Sequence, residues 1–269
     1  TSMRIQNFHP SHARTCGSSF FSDHLKAALA PHGFEVVEHN LGSVDFDGRR
    51  GGRLLHYVPS SFVCPASSAA LMRLLRSHPL GENLCVILHG LYRRGETRFR
   101  LDSVGTDHEA HIRLMLAKAS SIICLSPDVE EACRAWQDHL GAEARIIRLD
   151  HPGLFAPPLT KGSAPFYAFL GGIGRPKKNR AAPAIENLVQ QCEARGVRVW
   201  QHWTNLPDEG PGVASWRRSC GLLSDSAWSE IVSGAHVVLC PYETRVQSVS
   251  GLVSEALSAG CFVLATSFD

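Results

Sequence analysis

The stretch that most constrains the fold is HVVLCPYETRVQSVSGLVSEALSAGCFVLATS, His236 to Ser267. A short apolar run, His236 to Cys240, closes on Pro241 and Tyr242, and a polar loop, Glu243 to Ser248, follows. Ser250-Gly251 then opens a helical pattern that runs through Glu255 to Ala259, Gly260 stands where a helix ends, and Phe262 to Ala265 is apolar again. Strand, loop, helix and strand in this order make one βαβ unit. The start of its helix offers unpaired N–H groups and the positive end of a dipole, which suit a phosphate. Glu255, one turn further in, carries a carboxylate able to accept hydrogen bonds from a diol such as a ribose. An ordinary βαβ unit with a capping serine would look the same.

A second constellation precedes it. Phe166 to Leu170 reads as a strand, followed by the glycine-rich basic loop Gly171-Gly172-Ile173-Gly174-Arg175-Pro176-Lys177-Lys178-Asn179 and a helix to about Ala194. Glycines such as Gly172 let a backbone approach a ligand closely, and Arg and Lys neutralise phosphate oxygens. The spacing is not a dinucleotide fingerprint, because Lys177 stands where the third glycine belongs, and no Gly-Lys-Ser/Thr of a Walker loop occurs. NAD and ATP are therefore poor readings. Val197 to Gln201 is a further strand, and Ser224 or Asp225 caps a helix that leads into His236.

The first half repeats the alternation. Met3 to Phe8 is a strand, His9 to Ser19 a loop with Gly17 at the turn, Phe20 to Ala30 a helix and Phe34 to Glu38 a strand. Leu54 to Val58 is a strand and Ser67 to Ser77 an amphipathic helix with Ala70, Leu71, Leu74 and Leu75 on its apolar side. Leu84 to Leu88 is the clearest strand, and it ends in His89-Gly90. Ligands of open parallel sheets sit at the carboxyl ends of strands, where His89 could bond a sugar hydroxyl or a phosphate. Arg93, Arg94, Arg98 and Arg100 form a basic run: a solvated loop, or a partner for an anionic acceptor. Ala110 to Ala119 and Val129 to Leu140 read as helices, the second capped by Ser126, with Ser121 to Leu125 and Arg145 to Leu149 as strands. The segment 156–165, rich in Pro, Gly and Ser, is the expected linker, between a first domain at 3–155 and a second at 166–269.

The two motifs of the second half, taken together, resemble the donor-binding segments of retaining GT-B-fold glycosyltransferases of the bacterial polysaccharide type, glycosyl transferases group 1. That family's Pro-Tyr strand end, Ser-Gly helix start, glutamate and following "EAL-x-x-G" match Pro241, Tyr242, Ser250, Gly251, Glu255, Ala256, Leu257 and Gly260. The first of the family's two glutamates is replaced here by Gln247. The "F-x-G-x-x-R-P-x-K-N" step matches Arg175 and Lys178. The resemblance covers nearly the whole chain coarsely and is specific in these two motifs. It implies an α/β fold of two Rossmann-like domains facing a cleft, with an incomplete C-terminal domain, since the chain stops at Asp269. It also implies roles. Arg175 and Lys178 stabilise the departing nucleotide diphosphate, with His89 orienting the sugar or its phosphate. Gly17, Gly172, Gln247, Ser250, Gly251 and Glu255 form the donor site, Gln247 touching the sugar and Glu255 holding the ribose. No metal and no cofactor beyond the nucleotide diphosphate sugar are expected.

Composition sets the remaining bounds. A length of 269 residues suits two modest α/β domains, and 44% hydrophobic with 19% charged residues is globular. A net charge of +2 gives no case for nucleic acid, so the expected partners are a nucleotide sugar and a saccharide or lipid-linked saccharide acceptor, with no nucleic acid. The nine cysteines are scattered, without a CxxC pair, as small buried hydrophobes of a reducing cytosol would be. With no signal-peptide pattern and no membrane-length apolar run, a cytoplasmic protein is expected, peripheral contact with the inner membrane face staying open. The resulting reading is a glycosyltransferase acting on a hydroxyl acceptor in polysaccharide or glycoconjugate synthesis. The rivals are a non-catalytic nucleotide-sugar-binding or scaffold protein, and an epimerase or phosphorylase on a similar two-domain fold.

Overall fold

The computed structural model describes residues 3–10, 17–41, 52–62, 65–79, 82–93, 108–152, 166–173, 182–203, 216–221, 223–241 and 250–265. The chain divides into two compact units, Thr1–Asp150 and His151–Asp269. The expected linker, 156–165, lies outside the described residues.

The first unit runs β1 (Met3–His9), α1 (Gly17–Leu29), β2 (Phe34–Asn40), β3 (Gly52–Tyr57), α2 (Pro65–Ser77), β4 (Leu84–Leu88), α3 (His108–Lys118), β5 (Ser121–Cys124), α4 (Pro127–Leu140) and β6 (Arg145–Arg148). Its strands form one sheet in the order β2-β1-β3-β4-β5-β6, every pairing parallel. The sequence accounts for this locally. Strand β4 reads Leu-Cys-Val-Ile-Leu, and Leu84, Val86, Ile87 and Leu88 are all buried, as a strand covered on both faces requires. Helix α2 presents Ala70, Leu71, Leu74 and Leu75, two turns of one face, to the core. Each of its three leucines contributes about 1.5–3 kcal/mol by leaving water. Helix α4 starts where the Ser126 hydroxyl accepts from Val129 N at 3.3 Å and ends at Gly141 in the left-handed conformation, φ 61°.

The second unit runs β7 (Tyr167–Ile173), α5 (Ala182–Ala194), β8 (Arg198–Trp203), β9 (Arg217–Cys220), α6 (Asp225–Gly234), β10 (Val237–Cys240), α7 (Gly251–Ser258) and β11 (Phe262–Ala265). The parallel order is β11-β10-β7-β8-β9. Alternate residues of β7 divide between two cores. Tyr167 and Phe169 pack with residues of α6 and α7, while Ala168 and Leu170 pack with Ile185 and Val189 of α5. The described cysteines are free thiols. Among the described residues no helix is long and apolar enough to cross a membrane.

Two expectations change, and one strand, β9, comes in addition to those expected. Gly17 is the first residue of α1 rather than a turn glycine, because the helix takes in Ser18 and Ser19 ahead of the apolar spacing that signals it. Gly171 and Gly172 extend β7 instead of opening the loop, at a shift in the β7–β8 register between Leu170 and Ile173. Strand β9 carries no apolar alternation, reading Arg-Arg-Ser-Cys, and edges the sheet with Arg217 set over the Trp200 ring at 4.4 Å.

The chain order reverses once in each sheet, between β1 and β3 and between β7 and β10. Helices leave opposite faces at such a point, and the strand ends there border a crevice.

Candidate functional site

In the second unit the reversal sets the two strands that precede the sequence motifs next to each other. Strands β7 and β10 pair in parallel, Ala168 opposite Val237 and Leu170 opposite Leu239. The carboxyl ends of these two strands therefore lie side by side. Arg175 and Lys178 follow β7 and Gln247 follows β10; all three lie outside the described residues. Ser250 is the N-cap of α7, in extended conformation, yet its side chain makes no capping bond to the helix. Ser126 and Ser224 do make theirs, so Ser250 is not the plain capping serine of an ordinary βαβ unit. Gly251 has no positive φ. A Cβ there would meet His151 Cε1 at 3.9 Å and Glu255 Oε1 at 4.0 Å, ordinary contacts, so among the described residues neither strain nor packing demands glycine. Gly171 differs: a Cβ would stand 2.5 Å from the Phe169 ring and 3.3 Å from Trp228. At the far end of α7, Gly260 at φ 69° lets Cys261 N reach Ala256 O at 2.8 Å, closing the helix.

Glu255 lies one turn into α7. Its Oε2 accepts the indole N–H of Trp228 at 2.6 Å. Burial pushes its carboxyl up to about 7, against a downward pull from the Trp228 bond. Trp228 is itself held edge-on against Phe169, centroids 5.6 Å apart, and His202, 5.8 Å apart. His151 donates from Nδ1 to Pro152 O at 2.8 Å, and burial lowers its pKa. Its neutral ring then carries the lone pair on Nε2. The described part of this edge is thus a helix start at a glycine, a neutral imidazole and a carboxyl group tuned close to neutrality.

In the first unit His89 directly follows β4, a central strand, and its backbone N bonds Tyr57 O of β3 at 3.0 Å. The side chain is half-buried. Its Nε2 lies 3.0 Å from Nδ1 of His56, whose Nε2 lies 3.0 Å from Asn7 Oδ1. The Asn7 amide reaches Glu38 at 3.0 and 3.2 Å and also the Ser22 hydroxyl. Ser22 donates to Glu38 at 3.0 Å, and His9 Nε2 lies 3.4 Å from the same carboxylate. Asn7 on β1 and His56 on β3 straddle the reversal of the first sheet. Nothing on side chains is described for Gly17 or Gly172. Of the basic run, Arg93 pairs with Glu131 at 3.4 Å on the surface, as a solvated residue does.

Sequence reasoning missed Asn7, His56, Glu38 and Trp228. Asn7 and His56 are polar residues inside strand-like runs, and a buried polar residue near a strand's carboxyl end is the signal that could have drawn attention to them. Trp228 offers none, because its link to Glu255 spans two helices.

No protein-family model matches the sequence, and no curated protein matches it. Solved structures do. An alpha-glucosyltransferase (AGT) in complex with UDP superposes with a TM-score of 0.64 at 12% identity, over 97% of this chain and 80% of that one. WaaG, a glycosyltransferase involved in lipopolysaccharide biosynthesis, gives 0.61 at 15% identity over 97% and 80%. A trehalose-6-phosphate synthase, studied for glycosyl transfer with retention, gives 0.59 at 8% identity over 95% and 81%. These likenesses show the fold: the chain has the two-unit α/β fold of GT-B glycosyltransferases. They also correct one expectation. The AGT structures include complexes with UDP and a 13-mer DNA, so this fold accommodates nucleic acid, and the exclusion of nucleic acid does not stand. Net charge sums over the whole chain, whereas phosphate contacts are local and need only a basic patch.

Proposed function

We propose that this chain is a glycosyltransferase that moves a sugar from a nucleotide diphosphate sugar to a hydroxyl acceptor, with retention and without a metal, in polysaccharide or glycoconjugate synthesis. The observation that carries the reading is the parallel pairing of β7 with β10, because Arg175 and Lys178 follow the first strand in sequence and the Ser250-Gly251 helix start follows the second. Negative charge grows on the departing nucleoside diphosphate in the transition state, and fixed positive groups aimed at it lower the barrier. Arg175, Lys178 and the first N–H groups of α7 serve that purpose in this reading. Glu255 takes the ribose diol, Gln247 the sugar, Gly172 leaves room for the diphosphate, and Gly17 belongs to the same substrate set. His89 is assigned to the sugar or its phosphate. UDP, the nucleotide of the AGT structures, is the first ligand to test.

Calorimetric titration of UDP into wild type, Lys178→Ala and Glu255→Ala tests the assignment. Lys178→Ala is expected to weaken binding by about 1.5–3 kcal/mol, the range for a hydrogen bond to a charged group, and Glu255→Ala to weaken it with the fold intact. Equal affinities in all three would overturn the donor site. Gln247, where the resembling family has an acid, favours one second reading: a nucleotide-sugar-binding protein without turnover. UDP-glucose hydrolysis, followed with and without saccharide and duplex DNA acceptors, separates the two.

A further inference from the structure

We infer that Arg53, at the amino end of the first sheet, anchors a second binding site that takes a small oxyanion, phosphate or carboxylate. The inference is independent of the donor-site reading.

Arg53 is the second residue of β3 and pairs with Gln6 of β1 on one side and Leu84 of β4 on the other. Its backbone N donates to Asn83 O at 3.0 Å. A strand with neighbours on both sides leaves its side chains no sheet edge to escape by, and Arg53 is only 7% exposed. An arginine side chain does not shed its proton inside a protein, so its charge has to be met. Yet Nε and Nη1 are both shut off from solvent, and neither has a hydrogen-bond partner. Arg53 takes part in none of the ion pairs among the described residues. An unpaired charge is among the costliest groups a protein interior can hold.

The guanidinium fork determines how that charge is met. Nη2 is not among the shielded atoms, so the group opens to solvent at that nitrogen. Each of its two bidentate edges, Nε with Nη2 and Nη1 with Nη2, joins the open nitrogen to a shielded one. An oxyanion arriving from solvent at Nη2 therefore reaches an unmet donor with its second oxygen. The surroundings favour negative charge. Lys118, the last residue of α3, donates from Nζ to His78 O at 3.0 Å, and His78, directly after α2, donates from Nε2 to Glu82 O at 3.1 Å. Arg53, Lys118 and Glu82 all act electrostatically on the His78 ring, which puts two permanent cations and one carboxylate in a single neighbourhood. Strand β3 rises about 3.3 Å per residue, so Arg53 stands about 13 Å from Tyr57 at its carboxyl end. A small anion at Arg53 lies beyond reach of the crevice at the carboxyl ends. It acts as a separate ligand that stabilises the first unit by mass action.

The test follows the arginine Nε–H signals of the ¹⁵N-labelled full chain by ¹H–¹⁵N correlation, with Arg53 assigned by its loss in Arg53→Met. Sodium phosphate and sodium acetate are titrated separately, against sodium chloride at equal ionic strength. The Arg53 signal is expected to shift saturably with phosphate or acetate, and the anion that acts at the lower concentration gives the ligand class. A signal that moves no further with either than with chloride would overturn the site. Urea unfolding supplies a second arm. The saturating anion is expected to raise the midpoint of wild type above its value in chloride. Arg53→Met is expected to lose that gain and to be more stable than wild type in chloride, because it removes an unpaired charge and keeps an unbranched chain. Arg53→Lys, charged but without the fork, is expected to bind the anion about tenfold more weakly or worse. An Arg53→Met less stable than wild type in chloride marks Arg53 as a cation that the fold itself satisfies, and overturns the inference. Lys178→Ala is expected to keep the full wild-type response. A response lost in that variant belongs to the donor site and equally overturns the site at Arg53.

Discussion

Replacing Glu255 by Gln is expected to make the fold more stable and the donor site weaker. The carboxyl has a native pKa of about 7 against an ordinary 4.5. Between those values the native state holds a proton that the unfolded chain has released, so its stabilising effect is complete below about pH 4.5 and is lost as pH rises through 7. Each pKa unit is worth 1.36 kcal/mol, and the shift therefore costs the fold about 3 kcal/mol in alkaline solution. Gln is neutral at every pH. Its amide oxygen still accepts the Trp228 N–H, and the extra strength of that bond to the ionised carboxylate is already contained in the native pKa. The net expectation is a variant about 3 kcal/mol more stable than wild type at pH 8.5 and within about 1 kcal/mol of it at pH 5. Urea denaturation at the two pH values reads this directly, provided the slopes agree. UDP titration at pH 8.5 is expected to run the other way, with Glu255→Gln the weaker binder, since the ionised carboxylate accepts ribose hydroxyls more strongly. A variant no more stable than wild type at pH 8.5, or one equally stabilised at pH 5, would refute the reasoning.

Two further outcomes bear on the same edge. Trp228→Phe removes the donor that holds the Glu255 carboxyl down, so its pKa is expected to rise and the pH midpoint of UDP affinity to move alkaline. Gly171→Ala drives a Cβ to 2.5 Å from the Phe169 ring and 3.3 Å from Trp228; overpacking of this kind costs about 1–3 kcal/mol, measured by the urea midpoint, and through Trp228 it disturbs the bond to Glu255.

The alternation of strand and helix was legible because it rests on local pattern. Leu84 to Leu88, the α2 stripe from Ala70 to Leu75, and the caps at Ser126 and Ser224 each announce an element within a few residues. Strand β9 was not legible, since an edge strand with Arg217 and Arg218 lacks the pattern. Gly17 and Gly172 were misread for a related reason: glycine signals a turn, and here it begins a helix and ends a strand. At the candidate site, Ser250, Gly251 and Glu255 could be singled out because one βαβ unit carries them in order. Asn7, His56 and Glu38 could not, because parallel pairing joins residues from three strands by register, which composition and spacing do not encode.

The strand order of the second sheet also governs when its binding edge comes into being. Strands β8 and β9 precede β10 in the chain, yet β10 settles on the opposite side of β7. The join of Ala168 with Val237 therefore closes the longest loop in this sheet's ladder, and long-loop contacts form late and at the greatest entropic cost. A diphosphate held by residues on both sides of that join would work as a clasp. Its binding free energy would act on the most delayed pairing of the sheet, stabilising the native state by mass action, so that a nascent or partly opened chain would be fastened shut by a ligand bound across it.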